Sequence, residues 1–153
     1  MRVSVLAIGR ARAGPEAALT ADWLARFDAT GRALGLGPSR LVEIEDRKRR
    51  GESALLEEAI PEGAFAVALD ERGRVMTSPD FAALLAAERD SGRREMAFLI
   101  GGADGHSEAL RGRADRLLSF GPMVWPHMLA RAMLAEQLYR AASILAGGPY
   151  HRV

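Results

Sequence analysis

The sequence predicts an α/β domain built on a parallel sheet, and three observations lead there. Its apolar runs, among them Val3 to Ile8, Ala64 to Leu69 and Met96 to Ile100, are continuous rather than alternating, as strands covered on both faces require. These runs alternate with stretches of helical periodicity, the order of strand–helix crossovers. Two of them stop at loops rich in glycine and proline, Gly101-Gly-Ala-Asp-Gly105 and Gly121-Pro-Met-Val-Trp-Pro126. Loops after successive parallel strands gather at one edge of the sheet, where such sheets bind ligands.

Taken in order, Val3 to Ile8 is the first strand. Its apolar run is too short for a signal peptide, and Arg10 and Arg12 put charge where a cleavage region would stand. Pro15 to Ala33 is an amphipathic helix with Leu19, Trp23, Leu24 and Phe27 at helical spacing, ended by Gly35-Leu-Gly-Pro38. Leu41 to Ile44 is a second strand. The basic cluster Arg47-Lys-Arg-Arg50 precedes a short helix from Ser53 to Ile60 and is either a solvated loop or a phosphate contact. Ala64 to Leu69 is a third strand, ending at Asp70-Glu-Arg-Gly73. The next helix starts with Ser78 as its cap and Pro79 at its first position, and runs to Asp90. Met96 to Ile100 is strand four, Ser107 to Arg113 a short helix and Leu117 to Phe120 strand five. Pro126 opens a long helix to Leu145, which shows Leu134, Leu138, Ala141, Ala142 and Leu145 on one face. Met128, Leu129, Ala132 and Met133 widen that face beyond what one sheet surface needs, so it serves either the core alone or the core and a subunit interface. Glu136 and Arg140 stand at ion-pair spacing on it.

The 153 residues suit one domain, 1–153, without repeat or linker. With 48% hydrophobic and 27% charged residues the chain has an ordinary globular composition. The absence of cysteine excludes disulfide and thiol chemistry and is compatible with a reducing cytoplasm. No apolar stretch approaches membrane-spanning length. A net charge of +1 gives no global field for nucleic acid. Lys48 is the only lysine; the arginine preference fits either RNA contact or coding bias.

The two loops are neither a P-loop, which needs Gly-Lys-Ser/Thr, nor a dinucleotide fingerprint, since Ala103 takes a glycine position. Gly102, lacking Cβ, lets backbone approach a ligand. The tail Pro149-Tyr-His-Arg152 gathers an aromatic ring, an imidazole and a guanidinium, groups suited to stacking, proton transfer and phosphate contact. His106, His127 and His151 lack metal-ligand spacing and carboxylate company, so no metal site is expected.

Four stretches carry a resemblance: Leu99-Ile-Gly-Gly-Ala103 through Gly105, Trp125-Pro-His127, Ala135-Glu-Gln-Leu-Tyr-Arg-Ala141 and Pro149-Tyr-His-Arg152. Together they resemble the RlmH family of SPOUT-class methyltransferases, which modify ring nitrogen three of a pseudouridine in large-subunit (23S) ribosomal RNA. Two departures stand out. Arg10-Ala-Arg12 replaces a lysine-rich segment, and Trp125 a smaller apolar residue or phenylalanine.

The resemblance implies a parallel-sheet SPOUT-type α/β domain with a C-terminal trefoil knot, working as a cytoplasmic homodimer. It implies S-adenosylmethionine as cofactor, bound by Leu69, Gly102, Gly121, Pro122, Met123, Val124, Trp125 and Pro126. It also implies ribosomal RNA as substrate; with a net charge of only +1 and so small a surface, the target is expected to be already held in shape within the assembled ribosome, and no metal or membrane partner is expected. The weakly acidic imide nitrogen must lose its proton, for which a positioned base contributes roughly 10²–10⁴-fold. The candidates are His151 as base, Tyr150 as stacking or hydrogen-bonding partner, Arg152 as substrate contact and Arg140 as stabiliser of charge or holder of phosphate. A transfer-RNA methyltransferase of the same class and a non-catalytic ribosome-binding factor are the rival readings.

Overall fold

A computed structural model describes residues 1–152; Val153, the last residue of the tail, lies outside the described residues. Five strands and five helices alternate along the chain. They are β1 (Arg2–Ile8), α1 (Pro15–Gly31), β2 (Ser39–Ile44), α2 (Glu52–Ala59), β3 (Phe65–Val75), α3 (Ser78–Asp90), β4 (Glu95–Ile100), α4 (Glu108–Arg113), β5 (Arg116–Ser119) and α5 (His127–Leu145), with one 3-10 turn at Arg32–Leu34. The strands pair in parallel in the order β2-β1-β4-β3-β5. All six residues of β4 are buried: Met96 to Ile100 form the continuous apolar run that a central strand requires, and the buried Glu95 is paired with Arg2 and Arg40.

Alternation along the strands divides the core. Val3, Val5, Met96, Phe98, Phe65 and Val67 point to one side, where they meet Leu24 and Phe27 of α1, Phe81 and Leu85 of α3, and Leu134 and Leu138 of α5. Leu6, Ile8, Ala68, Ala97 and Leu99 point to the other, against Leu56 of α2 and Leu110 of α4. Helix α5 packs against both α1 and α3. Its predicted face is buried at Leu134, Leu138, Ala141 and Ala142, and Ala132 joins it; Leu145, Met128, Leu129 and Met133 are half-buried.

Two local expectations change. Thr77, not Ser78, caps α3: its hydroxyl accepts from Asp80 N–H at 3.2 Å, and the Asp80 carboxylate accepts from Thr77 N–H at 3.4 Å. This reciprocal box outcompetes a lone serine cap. Strand β3 also does not end at Leu69. Leu69 and Arg74 both face Leu118 of β5, so Asp70 to Gly73 loop out as a bulge and the strand resumes to Val75. Asp70 Oδ1 accepts from Arg72 N–H at 2.9 Å, so the local turn chemistry read from the sequence is present inside the strand. At Gly73 an added Cβ would lie 2.6 Å from the Leu117 carbonyl carbon and 2.7 Å from Leu118 backbone atoms. Only glycine allows β5 to pass there.

Candidate active site

The loop after β4, the loop after β5 and the β3 bulge converge past the carboxyl ends of the strands. They enclose a cavity of about 780 Å³, floored by Leu69, Ile100 and Leu118 and closed on one side by His127 and Ala130 of α5. Leu69, Gly102, Gly121, Met123, Val124, Trp125 and Pro126 all line it. Pro122 is in the same loop and exposed but is not part of the lining. The apolar side chains of the second loop are open to solvent, Val124 at 87% and Met123 at 70%.

Each loop is shaped locally. Gly105 N–H donates to Gly102 O at 3.1 Å, with Gly105 at φ 68°, a turn conformation that glycine adopts without strain. Ser107 caps α4 by accepting from Leu110 N–H at 3.1 Å, and its own N–H donates to Ser53 Oγ of α2 at 2.8 Å. The space that a Cβ on Gly102 would fill holds the Glu52 carboxylate, 2.6 Å away. The glycine therefore admits Glu52 on one side while its backbone faces the cavity. In the second loop Gly121, at φ 101°, donates its N–H to Ser119 Oγ at 3.1 Å.

His106 was visible in the sequence only as a histidine without metal-ligand company. Its side chain borders the cavity and is 6% exposed, and neither ring nitrogen completes a hydrogen bond among the described residues. Burial lowers its pKa from 6.5, against the pull of the Leu99 and Leu69 carbonyls and the Asp70 charge, while Arg111 adds to the lowering. The ring is therefore held neutral. Below about pH 6.5 the unfolded chain takes up this proton and the folded chain resists it, so stability falls as pH drops through that range. Thermal unfolding between pH 5 and 7 should show a loss in the wild type that is reduced in His106→Leu; parallel curves for the two proteins would contradict this account.

Arg131, on the first turns of α5, is 2% exposed. It donates to Glu43 Oε2 at 2.8 Å, to Ile8 O at 2.7 Å and to Gly9 O at 2.6 Å, so one guanidinium ties α5 to the ends of β1 and β2. Burial acts upward on the Glu43 carboxyl, but hydrogen bonds from Ala11 N–H and Arg131, with the Arg131 and Arg10 charges, hold its pKa below 4.5. A helical pattern counted over apolar residues alone passes over Arg131. Its place among Met128, Leu134 and Ala135, one turn from each, was the available signal.

The tail folds back on the middle of α5. Tyr150 O–H donates to Glu136 Oε1 at 2.8 Å. Arg140 donates to the same oxygen through Nε at 3.0 Å and Nη2 at 2.5 Å, so the expected Glu136–Arg140 pair forms. The Tyr150 ring lies 4.8 Å from Tyr139, itself stacked 5.5 Å from Trp23, and Arg140 Cζ sits 4.7 Å above the Tyr150 ring. Burial and the hydrogen bond and charge of Glu136 raise the Tyr150 pKa above 10.0, which keeps the phenol protonated. His151 Nδ1 is 3.3 Å from Arg140 Nη1, and Arg152 is exposed. Tyr150 and His151 thus gather with Arg140 on α5, whereas among the described residues no contact brings Arg152 to them, and none of the four lines the cavity of its own chain. Among the described residues there is no cluster of ligands suited to a metal ion, and no helix is long and apolar enough to cross a membrane.

Comparison with known proteins gives this geometry its family. A sequence model described as "Predicted SPOUT methyltransferase" matches residues 1–151. "Ribosomal RNA large subunit methyltransferase H" of Ruegeria pomeroyi is 63% identical, over 100% of both chains, and the protein of that name in Roseobacter denitrificans is 64% identical over 99% of both. A probable methyltransferase of Bordetella pertussis shares the fold at TM-score 0.55 and 17% identity, covering 92% of this chain and 96% of its own. A probable methylase family protein of Haemophilus influenzae does so at TM-score 0.54 and 11% identity, covering 99% and 70%. With the match spanning the whole chain, and the two loops framing a cavity past the strand ends, the chain belongs to the SPOUT methyltransferases, in the ribosomal RNA large subunit methyltransferase H family.

Proposed function

We propose that this methyltransferase uses S-adenosylmethionine to methylate ring nitrogen three of a pseudouridine in 23S ribosomal RNA, and that it acts on assembled ribosomes in the cytoplasm. The observation that carries the reading is the cavity formed by the two glycine loops, in a chain whose relatives are named for large-subunit ribosomal RNA. Its residues fit the cofactor. Leu69, Met123 and Val124 offer an apolar enclosure for an adenine, and the backbone at Gly102 and Gly121 to Pro126 offers donors and acceptors for its edge. When bound, S-adenosylmethionine supplies an electrophilic sulfonium methyl group. What the chain itself contributes is alignment of the acceptor nitrogen and stabilisation of the charge that the departing imide proton leaves behind.

The tail lies away from the cavity of its own chain, so both can serve one reaction only if two copies combine. A homodimer is therefore part of the reading, with the tail of one protomer reaching the cavity of its partner. The exposed Met123, Val124 and Val75 and the half-buried Met128, Leu129 and Met133 of α5 supply apolar surface for that contact. A trefoil knot in the C-terminal segment belongs to the same reading, and the close passage of β5 by Gly73 supports it.

A net charge of +1 leaves few phosphates to engage, so binding to free RNA should be weak and salt-sensitive. The clusters Arg47 to Arg50 and Arg111, Arg113 and Arg116 are the docking candidates. Arg47 and Arg50 are paired with Glu45 and Glu58, an arrangement that RNA phosphates would have to displace. Recognition of one nucleotide by so small a surface needs a target already held in shape. Methyl incorporation is therefore expected to be far faster into whole ribosomes than into separate large subunits or naked ribosomal RNA, measured at equal concentration. Equal rates on all three would contradict it.

A further inference from the structure

The tail cluster sets a guanidinium against one ring nitrogen of His151. Arg140 Nη1 lies 3.3 Å from His151 Nδ1. A guanidinium has donors and no acceptor. The Glu136 hydrogen bond and charge, and the neighbouring Tyr150, raise the Arg140 pKa still further against burial. In this contact Nδ1 must accept, and a neutral imidazole that accepts at Nδ1 carries its hydrogen on Nε2. The assignment follows from the donor-only chemistry of arginine rather than from an observed hydrogen. Nor is the guanidinium free to swing. Its Nε and Nη2 are held on Glu136 Oε1, the Tyr150 ring packs against its face, and Gln137 Nε2 donates to Glu136 Oε2 at 2.8 Å.

We propose that Glu136 and Arg140 hold the His151 ring with Nδ1 as acceptor, so that its Nε2–H binds the substrate oxygen on which negative charge develops, and that His151 is not the base. The proposal rests on the reading that the tail belongs to the methyl-transfer site. In this arrangement Nε2 already bears its hydrogen and has no lone pair to accept another, while the lone pair of Nδ1 is engaged by Arg140. Tyr150 cannot serve in its place, because its phenol stays protonated and donates to Glu136. The imide proton then leaves to solvent water, and the negative charge left behind spreads onto the two flanking carbonyl oxygens. A fixed donor aimed at such a charge stabilises it as an oxyanion hole does. Glu136 is a positioning residue here: it aims Arg140, and Arg140 sets the imidazole.

Three substitutions at His151 separate the possibilities. His151→Gln carries an amide N–H at about the reach of Nε2, whereas His151→Ala carries no donor. In steady-state methylation of whole ribosomes, His151→Ala should lose about 10²–10³-fold in kcat, the usual effect of removing one donor to a developing charge. His151→Gln should recover most of that loss, and His151→Asn, whose amide reaches only the level of Nδ1, should not. If Gln is as impaired as Ala, the donor role is overturned while the tail remains catalytic. If Ala keeps the wild-type rate, His151 has no part in catalysis and the proposal is overturned; loss of activity on deleting Tyr150 to Arg152 would then show that the tail still serves the site through its other residues. A second readout needs no turnover: long-range 1H–15N NMR of the histidine rings above neutral pH should show His151 with a bare Nδ1 and a protonated Nε2. The opposite tautomer would overturn the proposal. Glu136→Gln should weaken that preference in the same spectra, and an unchanged tautomer ratio would remove Glu136 from it.

Discussion

Replacing Arg131 with methionine is expected to destabilise the protein by roughly 3–5 kcal/mol, the cost of breaking a buried pair by removing one partner. Methionine fills much of the same volume, so the loss comes from what is left unpaired. The Ile8 and Gly9 carbonyls lose their donor and the Glu43 carboxylate loses its counter-charge. Three elements meet at this one side chain, β1, β2 and α5, which makes it the junction between the sheet and the helix that closes the cavity. Urea unfolding at pH 7 measures the change, as a shift in midpoint at constant slope. Glu43→Gln should cost clearly less, because the amide oxygen can still accept from Arg131. A loss below about 1 kcal/mol in Arg131→Met would show that the clamp holds nothing together.

The second large effect belongs to Gly73. A methyl group there would stand 2.6–2.7 Å from the backbone of Leu117 and Leu118, and a strand backbone paired in a sheet cannot retreat as a side-chain tip can. Overpacking typically costs about 1–3 kcal/mol where side chains can adjust, so Gly73→Ala should reach or exceed that range. The same displacement moves Asp70 to Arg72, which line the cavity. Cofactor affinity should therefore fall at least tenfold, by about 1.4 kcal/mol or more, even in the fraction that folds. Gly112→Ala is the control of opposite sign. Gly112 lies within α4 with open space where its Cβ would be, so alanine should stabilise by about 0.5–1 kcal/mol. If both alanines behave alike, the steric account of Gly73 fails.

The residues best read from sequence were those whose role is local or periodic. Met96 to Ile100 announced a central strand because every residue is apolar, and Leu134, Leu138, Ala141 and Ala142 announced a buried face because they recur at helical spacing. The Gly101 and Gly121 loops were legible for a related reason: glycine after an apolar run is punctuation that needs no tertiary knowledge. Asp70 to Gly73 shows where such reading stops. Its turn chemistry is real, with Asp70 accepting from Arg72 N–H, yet pairing with β5 carries the strand past the turn. That pairing joins residues about fifty positions apart. Arg131 and Glu52 were hidden for the same reason. Arg131 finds its partners at Ile8, Gly9 and Glu43, more than half the chain away, and Glu52 lies against Gly102, about a third of the chain away; no helical period encodes such contacts. The tail was noticed for its composition, but only the fold shows that Glu136 organises it and that it stands apart from the cavity of its own chain.

The cavity between the two glycine loops is the proposed place of the methyl donor. Amide hydrogen exchange with and without saturating S-adenosylmethionine tests it most directly, because it reports both binding and place. Slowed exchange is expected in three segments that are remote in sequence, 69–73, 101–106 and 119–127, with little change in α3 or at the opposite end of the sheet. No slowing in the two loops, or protection confined to other segments, would contradict it.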